Sequence, residues 1–239
     1  MTTRAEFLGR LRREMARTGG LFPATSAERP ADPAAAAEAV RRRVAERWPA
    51  ALETFRAELE RVGGRFYRAA GMNDLPAVVS RIAREGDVRR VLTWSGLGLR
   101  AALSAAGLEV VEEPAATVSE EERTHLREIA AQAAIGVTGV DLAVAETGSL
   151  VVISGPGKAR GVSLLPPYHV AIFGKGALVE TLEQVGVLLE ALHRNPNENL
   201  TGASITFITG PSRTADIELT LTRGVHGPRE VHAIFVESL

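Results

Sequence analysis

Cysteine is absent from the 239 residues of this chain. It therefore has no disulfide framework, no thiol nucleophile and no thiolate for an iron–sulfur cluster or a structural zinc. Lysine is nearly absent: all but two of the 28 basic residues are arginines, the exceptions being Lys158 and Lys175. With so many alanines, that bias reads as genome composition rather than as a functional patch. Excess charge of one sign is missing too, since a net charge of -1 gives no electrostatic reason to expect a nucleic-acid or membrane surface. No apolar run is long enough to cross a bilayer, and "MTTRAEFLGRLRREMARTGG" lacks the apolar core of a secretory signal. These absences predict a cytoplasmic protein with no membrane span and no nucleic-acid partner.

Familiar catalytic signatures are also missing. There is no HExxH and no Walker A run, the spacing of His, Asp and Glu gives no metal motif, and "GPSRT" lacks the second glycine of a nucleophile elbow. No metal site is expected within the chain.

What remains is an ordinary globular composition, 45% hydrophobic and 24% charged, long enough for one large core. Residues 1–62 read as a helical N-terminal region with a mobile Gly/Pro/Ser linker near 18–34. The first helix carries Phe7, Leu8, Leu11 and Met15 at docking-helix spacing, and two further helices are expected over 35–48 and 49–62. Residues 63–239 read as an α/β domain. "RFYRA", "VRRVLTW", "LEVVEE", "HVAIFG", "SITFITG" and "EVHAIFVE" are strand candidates. Between them lie a helix with Asp74 at its N-cap and Gly86 past its end, and one opened by a Ser119/Glu122 capping box. A further helix carries Leu178, Leu182, Val185, Leu189 and Leu192 on one face. "DLAVAETGSLVVIS" reads as two strands about a turn. The alternation predicts a mainly parallel, Rossmann-like sheet with helices on both faces, plus an antiparallel hairpin element.

The densest chemistry lies in "TFITGPSRTADIELTLTRGVHGP", residues 206–228. "SITFIT" reads as a buried strand with "GPSRTAD" at its carboxyl end, where open α/β sheets hold ligands. Gly210 turns the backbone, Ser212 and Thr214 offer hydroxyls, and Arg213 can grip a carboxylate or phosphate through two donors. "DIELTLT" alternates, placing Asp216 and Glu218 on one face of a strand, or else Thr214 begins a helical turn. His226 sits at the tip of "RGVHGP", either a general base and donor or a plain turn residue. In "AETGSLVV", Glu146 beside the Thr147-Gly148 turn is either a reacting carboxylate or a brace for the turn. "GPGKARGVSLLPPYH" is a Gly/Pro loop whose Lys158 and Arg160 suit a lid over an anion, or simply a connection. His169 after it reads as structural. Gly96-x-Gly98-x-x-Ala101 follows a strand and opens a helix, as a dinucleotide fingerprint would, with Glu112 or Glu113 in reach of a ribose; small residues there also permit close packing.

Three segments in this order, "GVTGVDLAVAETGSLVV", "RGVSLLPPYHVAIFG" and "TGPSRTADIELTLTRGVHGP", resemble the motifs of the LUD-domain family over roughly residues 135–236. The resemblance implies a fold similar to the sugar-phosphate isomerase and CoA-transferase group. It also implies a part in oxidation of L-lactate to pyruvate, alongside two partner proteins that carry the iron–sulfur clusters. A cysteine-free chain suits that division: no cofactor is expected within it. The expected ligand is a small carboxylate or phosphorylated molecule. Candidate catalytic residues are Glu146, Asp216 and His226, with Thr147, Gly148, Arg160, Gly210, Ser212, Arg213, Thr214 and Glu218 as ligand-binding candidates. Two alternatives stay open: a free-standing isomerase or CoA-transferase-like enzyme using Glu146, and a nucleotide-cofactor protein using the Gly96–Gly98 loop.

Overall fold

Two seven-residue apolar strands, β7 (Tyr168–Gly174) and β12 (Glu230–Val236), lie side by side, β7 buried throughout and β12 at all but its first residue. Burial on both faces is what a central parallel pair requires, since each face must meet its own layer. The computed structural model describes residues 3–17, 30–115, 119–195, 204–215 and 221–239. Around the central pair stand β1 (Arg65–Ala69), β2 (Arg90–Thr93), β3 (Glu109–Glu112) and β4 (Ile135–Gly139), in the order β1-β12-β7-β4-β2-β3. Every pairing in this sheet is parallel. A second, four-stranded sheet has the order β8-β5-β6-β9, from β5 (Leu142–Val144), β6 (Ser149–Ile153), β8 (Leu178–Val179) and β9 (Ile205–Ile208). The expected hairpin is β5–β6, antiparallel about the turn at 145–148. A short pair, β10 (Arg213–Ala215) and β11 (Leu221–Arg223), is also antiparallel.

Helices cover both faces, as expected. On one, α3 (Leu75–Glu85) and α4 (Arg100–Ala105) bury Leu75, Val79, Ile82 and Leu103 against Val91, Ile135, Val170 and Ile234. On the other, α2 (Pro33–Arg61) and the second sheet share a core built on Leu52, Phe55, Leu59, Ala143, Leu150, Phe173 and Phe235. Phe55 meets Phe173 edge-on with centroids 5.1 Å apart, and Trp48 stacks on Phe235 at 5.6 Å. Towards β2 the same face is completed by α5 (Glu120–Gln132) and α6 (Gly161–Leu164), around Trp94, Ala130 and Val162. The remaining helices are α1 (Arg4–Arg17) and α7 (Leu182–Arg194). Among the described residues no helix is long and apolar enough to cross a membrane.

Several local expectations change. The two helices expected over 35–48 and 49–62 are one rod, with Pro49 inside it. An interior proline costs about 3 kcal/mol. Burying Leu52, Phe55 and Leu59, each worth roughly 1.5–3 kcal/mol, outweighs that cost. The rod opens at Asp32, whose carboxylate accepts from Ala35 N at 3.0 Å, so the end of the expected linker is already helix; residues 18–29 lie outside the described residues. Asp74 precedes α3, yet its carboxylate accepts from Gly71 N at 3.0 Å and leaves the first turn of α3 alone. Leu178 belongs to β8, parallel to β5, and Leu182 stands exposed at the first position of α7, whose buried residues are Val185 and Leu188. "SITFIT" is not a buried parallel strand either. β9 is the outer strand of the second sheet, antiparallel to β6, with Ile205 and Phe207 42% and 47% exposed. The rule that ligands sit at the carboxyl ends of parallel strands therefore does not reach the loop that follows it.

Candidate functional site

The motif residues gather around the last turn of α2. That helix closes in a Schellman arrangement, with Gly64 N donating to Leu59 O at 2.9 Å and Gly63 N to Glu60 O at 3.0 Å. Gly63 sits at φ +90, the left-handed conformation this closure needs. The exposed carbonyl of Val62 then accepts from Arg213 Nη2 at 2.7 Å, so a cation meets the negative end of the helix. Gly148, at φ +62, lies so close to the same turn that a Cβ there would sit 2.2 Å from Leu59 N. Gly210 lies on Val62. Between these glycines runs a hydroxyl chain, Thr147 Oγ1 to Ser149 Oγ at 2.7 Å and Ser149 Oγ to Thr209 Oγ1 at 2.6 Å. Gly148, Gly210 and Arg213 thus converge as the packing partners of one helix end, with Thr147 linked to the group through Ser149.

Glu146 turns elsewhere. Its carboxylate accepts from Leu182 N at 2.8 Å, at the amino end of α7, where a negative charge complements the free amides and dipole. His226 lies in an exposed turn pinned to Ser212: His226 N donates to Ser212 Oγ at 3.2 Å, Gly224 N to Ser212 O at 3.0 Å, and Ser212 N to Pro228 O at 2.9 Å. Arg160 stands exposed at the N-cap of α6, its carbonyl accepting from Ser163 Oγ at 3.0 Å. The far end of α6 approaches the His226 turn, Leu164 Cδ1 being 3.8 Å from where a Cβ on Gly227 would stand. Thr214 is in β10 by its backbone. Asp216 and Glu218 lie outside the described residues.

A second place stands out from topology. After β2 the chain steps outward to β3 and returns across β2 to β4, so the sheet order reverses between β2 and β4. A crevice outside the carboxyl ends of strands at such a reversal is where α/β sheets hold ligands. Here the Gly-Pro-Gly-Lys loop sits over it. Ser95 N donates to Gly157 O at 3.1 Å, Trp94 Nε1 to Ala159 O at 3.1 Å, and Ala159 N to Glu113 Oε2 at 2.7 Å. Burial pushes the Glu113 carboxyl up from its ordinary range, against the pull of the Ala159 amide. Lys158 Nζ lies 5.7 Å from the centroid of the Trp94 ring and 3.6 Å from Asp141 Oδ1, while Asp141 Oδ2 accepts from Ile153 N at 2.6 Å. Gly96 and Gly98 face open space, with nothing within 4 Å of a built Cβ. They do not serve close packing.

The sequence singled out Lys158, Glu113 and the two glycines but missed Asp141. The only hint was an acid immediately after an apolar strand. It also gave no sign that α2 organises the motif residues. His169 is a core residue, its Nε2 2.9 Å from Thr138 Oγ1. Among the described residues no three His, Asp or Glu side chains gather as a metal site.

Comparisons with known proteins agree on one relationship. The model of the LUD domain matches residues 52–236. A protein of Halalkalibacterium halodurans named Lactate utilization protein C is 40% identical over 168 residues, 68% of this chain and 69% of that relative. A protein of the same name from Exiguobacterium sp. is 42% identical over 113 residues, 47% of this chain and 48% of the relative. Among solved structures, a DUF162 family protein from Deinococcus radiodurans shares the fold, with TM-score 0.56 and 21% identity over 79% of this chain and 97% of that one.

Proposed function

This chain belongs to the LUD-domain family, and from that premise we propose that it serves lactate utilization as a non-redox subunit that binds a small anionic ligand. The name that these relatives share supports the first half of the reading. The observation that carries the second half is Arg213: an exposed guanidinium anchored on Val62 O, next in sequence to the Ser212 hydroxyl that holds the His226 turn. Anchoring one edge of a planar fork orients the other edge, which suits a carboxylate or phosphate. Arg160 would add charge from α6, and His226 would orient the anion or move a proton. Asp216 and Glu218 complete the proposed set. Glu146 would act by bracing the turn, because its carboxylate is engaged at α7. A chain without cysteine offers no thiolate to an iron–sulfur cluster, so electrons leaving lactate would pass through partner subunits that carry such clusters.

Calorimetric titration of the full chain with L-lactate, pyruvate and inorganic phosphate tests this reading. We expect saturable binding of one of these anions and a loss of roughly tenfold or more in affinity for Arg213→Ala. Unchanged affinity would remove Arg213 from the site. The isolated chain should fail to reduce a dye with lactate; steady turnover without partners would overturn the subunit assignment.

A nucleotide reading has its own observation, the open space around Gly96 and Gly98 at the exit of β2. A bound dinucleotide would have to displace Gly157 from Ser95. Saturation by a nicotinamide or flavin cofactor, abolished in Gly98→Val, would establish it.

A further inference from the structure

Between α2, α7 and residues 175–179 lies a cavity of about 490 Å³. Its walls are apolar: Val40, Val44 and Trp48, spaced at four on one face of α2, face Leu178, Leu188 and Leu192. Its lining also includes Lys175 and Asp141, which follow the carboxyl ends of β7 and β4, neighbouring strands of the large sheet. That is the end of a parallel sheet at which ligands collect. Volume and lining both fall within the range of small-molecule sites.

The charges in its lining decide what it holds. Arg41 and Lys175 are both exposed, and neither has an ion-pair partner among the described residues. The one acid in the lining, Asp141, is already neutralised by Lys158 and by the Ile153 amide. Arg43 and Arg47 are spent on Glu180, outside the lining. An apolar chamber bordered by two unpaired cations is complementary to a molecule with an apolar body and a single anionic head. Size favours a longer body: at about 490 Å³ the cavity is several times larger than a three-carbon hydroxy acid, which would leave most of its apolar wall uncovered.

We infer that this cavity is a binding site for an amphipathic carboxylate, whose chain lies between α2 and α7 and whose carboxylate meets Arg41 and Lys175. The site is separate from the Arg213 corner, so either can fail without the other.

Decanoate is the probe, with decanol as its uncharged counterpart. Titrated into the full chain, decanoate is expected to bind with micromolar affinity and decanol roughly fivefold more weakly. Lys175→Glu and Arg41→Ala, both at exposed positions, should each weaken decanoate by about fivefold or more, leave decanol unchanged, and leave the lactate titration unchanged. A bromine-tipped decanoate should quench tryptophan emission, because Trp48 lines the chamber. Absence of saturable decanoate binding up to the millimolar range would overturn the inference. So would equal binding of decanoate and decanol, or a decanoate affinity indifferent to both charge changes.

Discussion

Arg213 Nη2 donates to Val62 O across 2.7 Å, tying residues 151 apart in sequence. The bond caps a helix whose closing turn is otherwise complete, so Arg213 has a mechanical role besides any role in binding. Arg213→Ala should cost about 1 kcal/mol in urea unfolding. Arg213→Lys keeps the charge and a donor and should recover most of that stability. If it recovers stability but fails to restore anion affinity, two-donor geometry rather than charge governs the site.

Gly148 faces a harder constraint, because the atoms nearest a Cβ there belong to the backbone of α2. Side chains elsewhere can rotate away; main chain cannot. Gly148→Ala combines that overlap with a left-handed φ of 62 and should cost roughly 2–4 kcal/mol, read as a lower thermal midpoint with unchanged native circular dichroism. A neutral result would mean that the turn stands off from the helix in solution.

The loop over the carboxyl-edge crevice hangs on Glu113. Glu113→Ala removes the acceptor of Ala159 N while leaving the Trp94 bond to Ala159 O. Exchange of the Ala159 amide should accelerate by about tenfold, a backbone donor to a carboxylate being worth ~1.5 kcal/mol. Exchange as slow as in the parent chain would show that the loop is held by something other than Glu113.

Two buried imidazoles make stability depend on pH. Burial, with His232 adding, takes His169 down to about 3, and burial, with Arg65 adding, takes His232 down to about 4. Glu230 lies 3.4 Å from His232 Nε2, but Arg65 claims that carboxylate at 3.2 Å. The unfolded chain protonates these groups as pH falls through about 6.5, whereas the folded chain does not until about 4 and 3. Stability from this source is therefore full above about pH 6.5 and declines on acidification. The slope is about 1.4 kcal/mol per pH unit for each imidazole. Urea unfolding at about pH 7.5 and about pH 5 measures it. His232→Gln should roughly halve the slope, and a flat profile would contradict neutral burial of both rings.

What was legible in the sequence was local. The strand at Arg65–Ala69, the Ser119/Glu122 capping box and the β5–β6 turn are set by neighbouring residues, and each stands where expected. Leu178 and the pair Ile205/Phe207 were misplaced because their surroundings come from distant strands. Apolar spacing alone cannot tell a helix face from a two-residue strand, or an inner strand from an outer one. The same limit applied to the site. Gly148, Gly210 and Arg213 were recognisable as unusual, but their shared neighbour, the end of α2, lies far away in sequence and carries no motif of its own. The cavity between α2 and α7 was not read from the sequence, because its walls come from segments far apart in the chain.

α2 was read from sequence as part of a helical N-terminal region, and its Leu52, Phe55 and Leu59 share one core with Phe173 and Phe235. Cutting the chain at Gly63 would wet both phenylalanines and forfeit three buried side chains worth roughly 1.5–3 kcal/mol each, a sum comparable to a whole domain's margin. Trimming past Asp32 would remove the carboxylate that caps the rod's first turn, at a cost of about 1 kcal/mol.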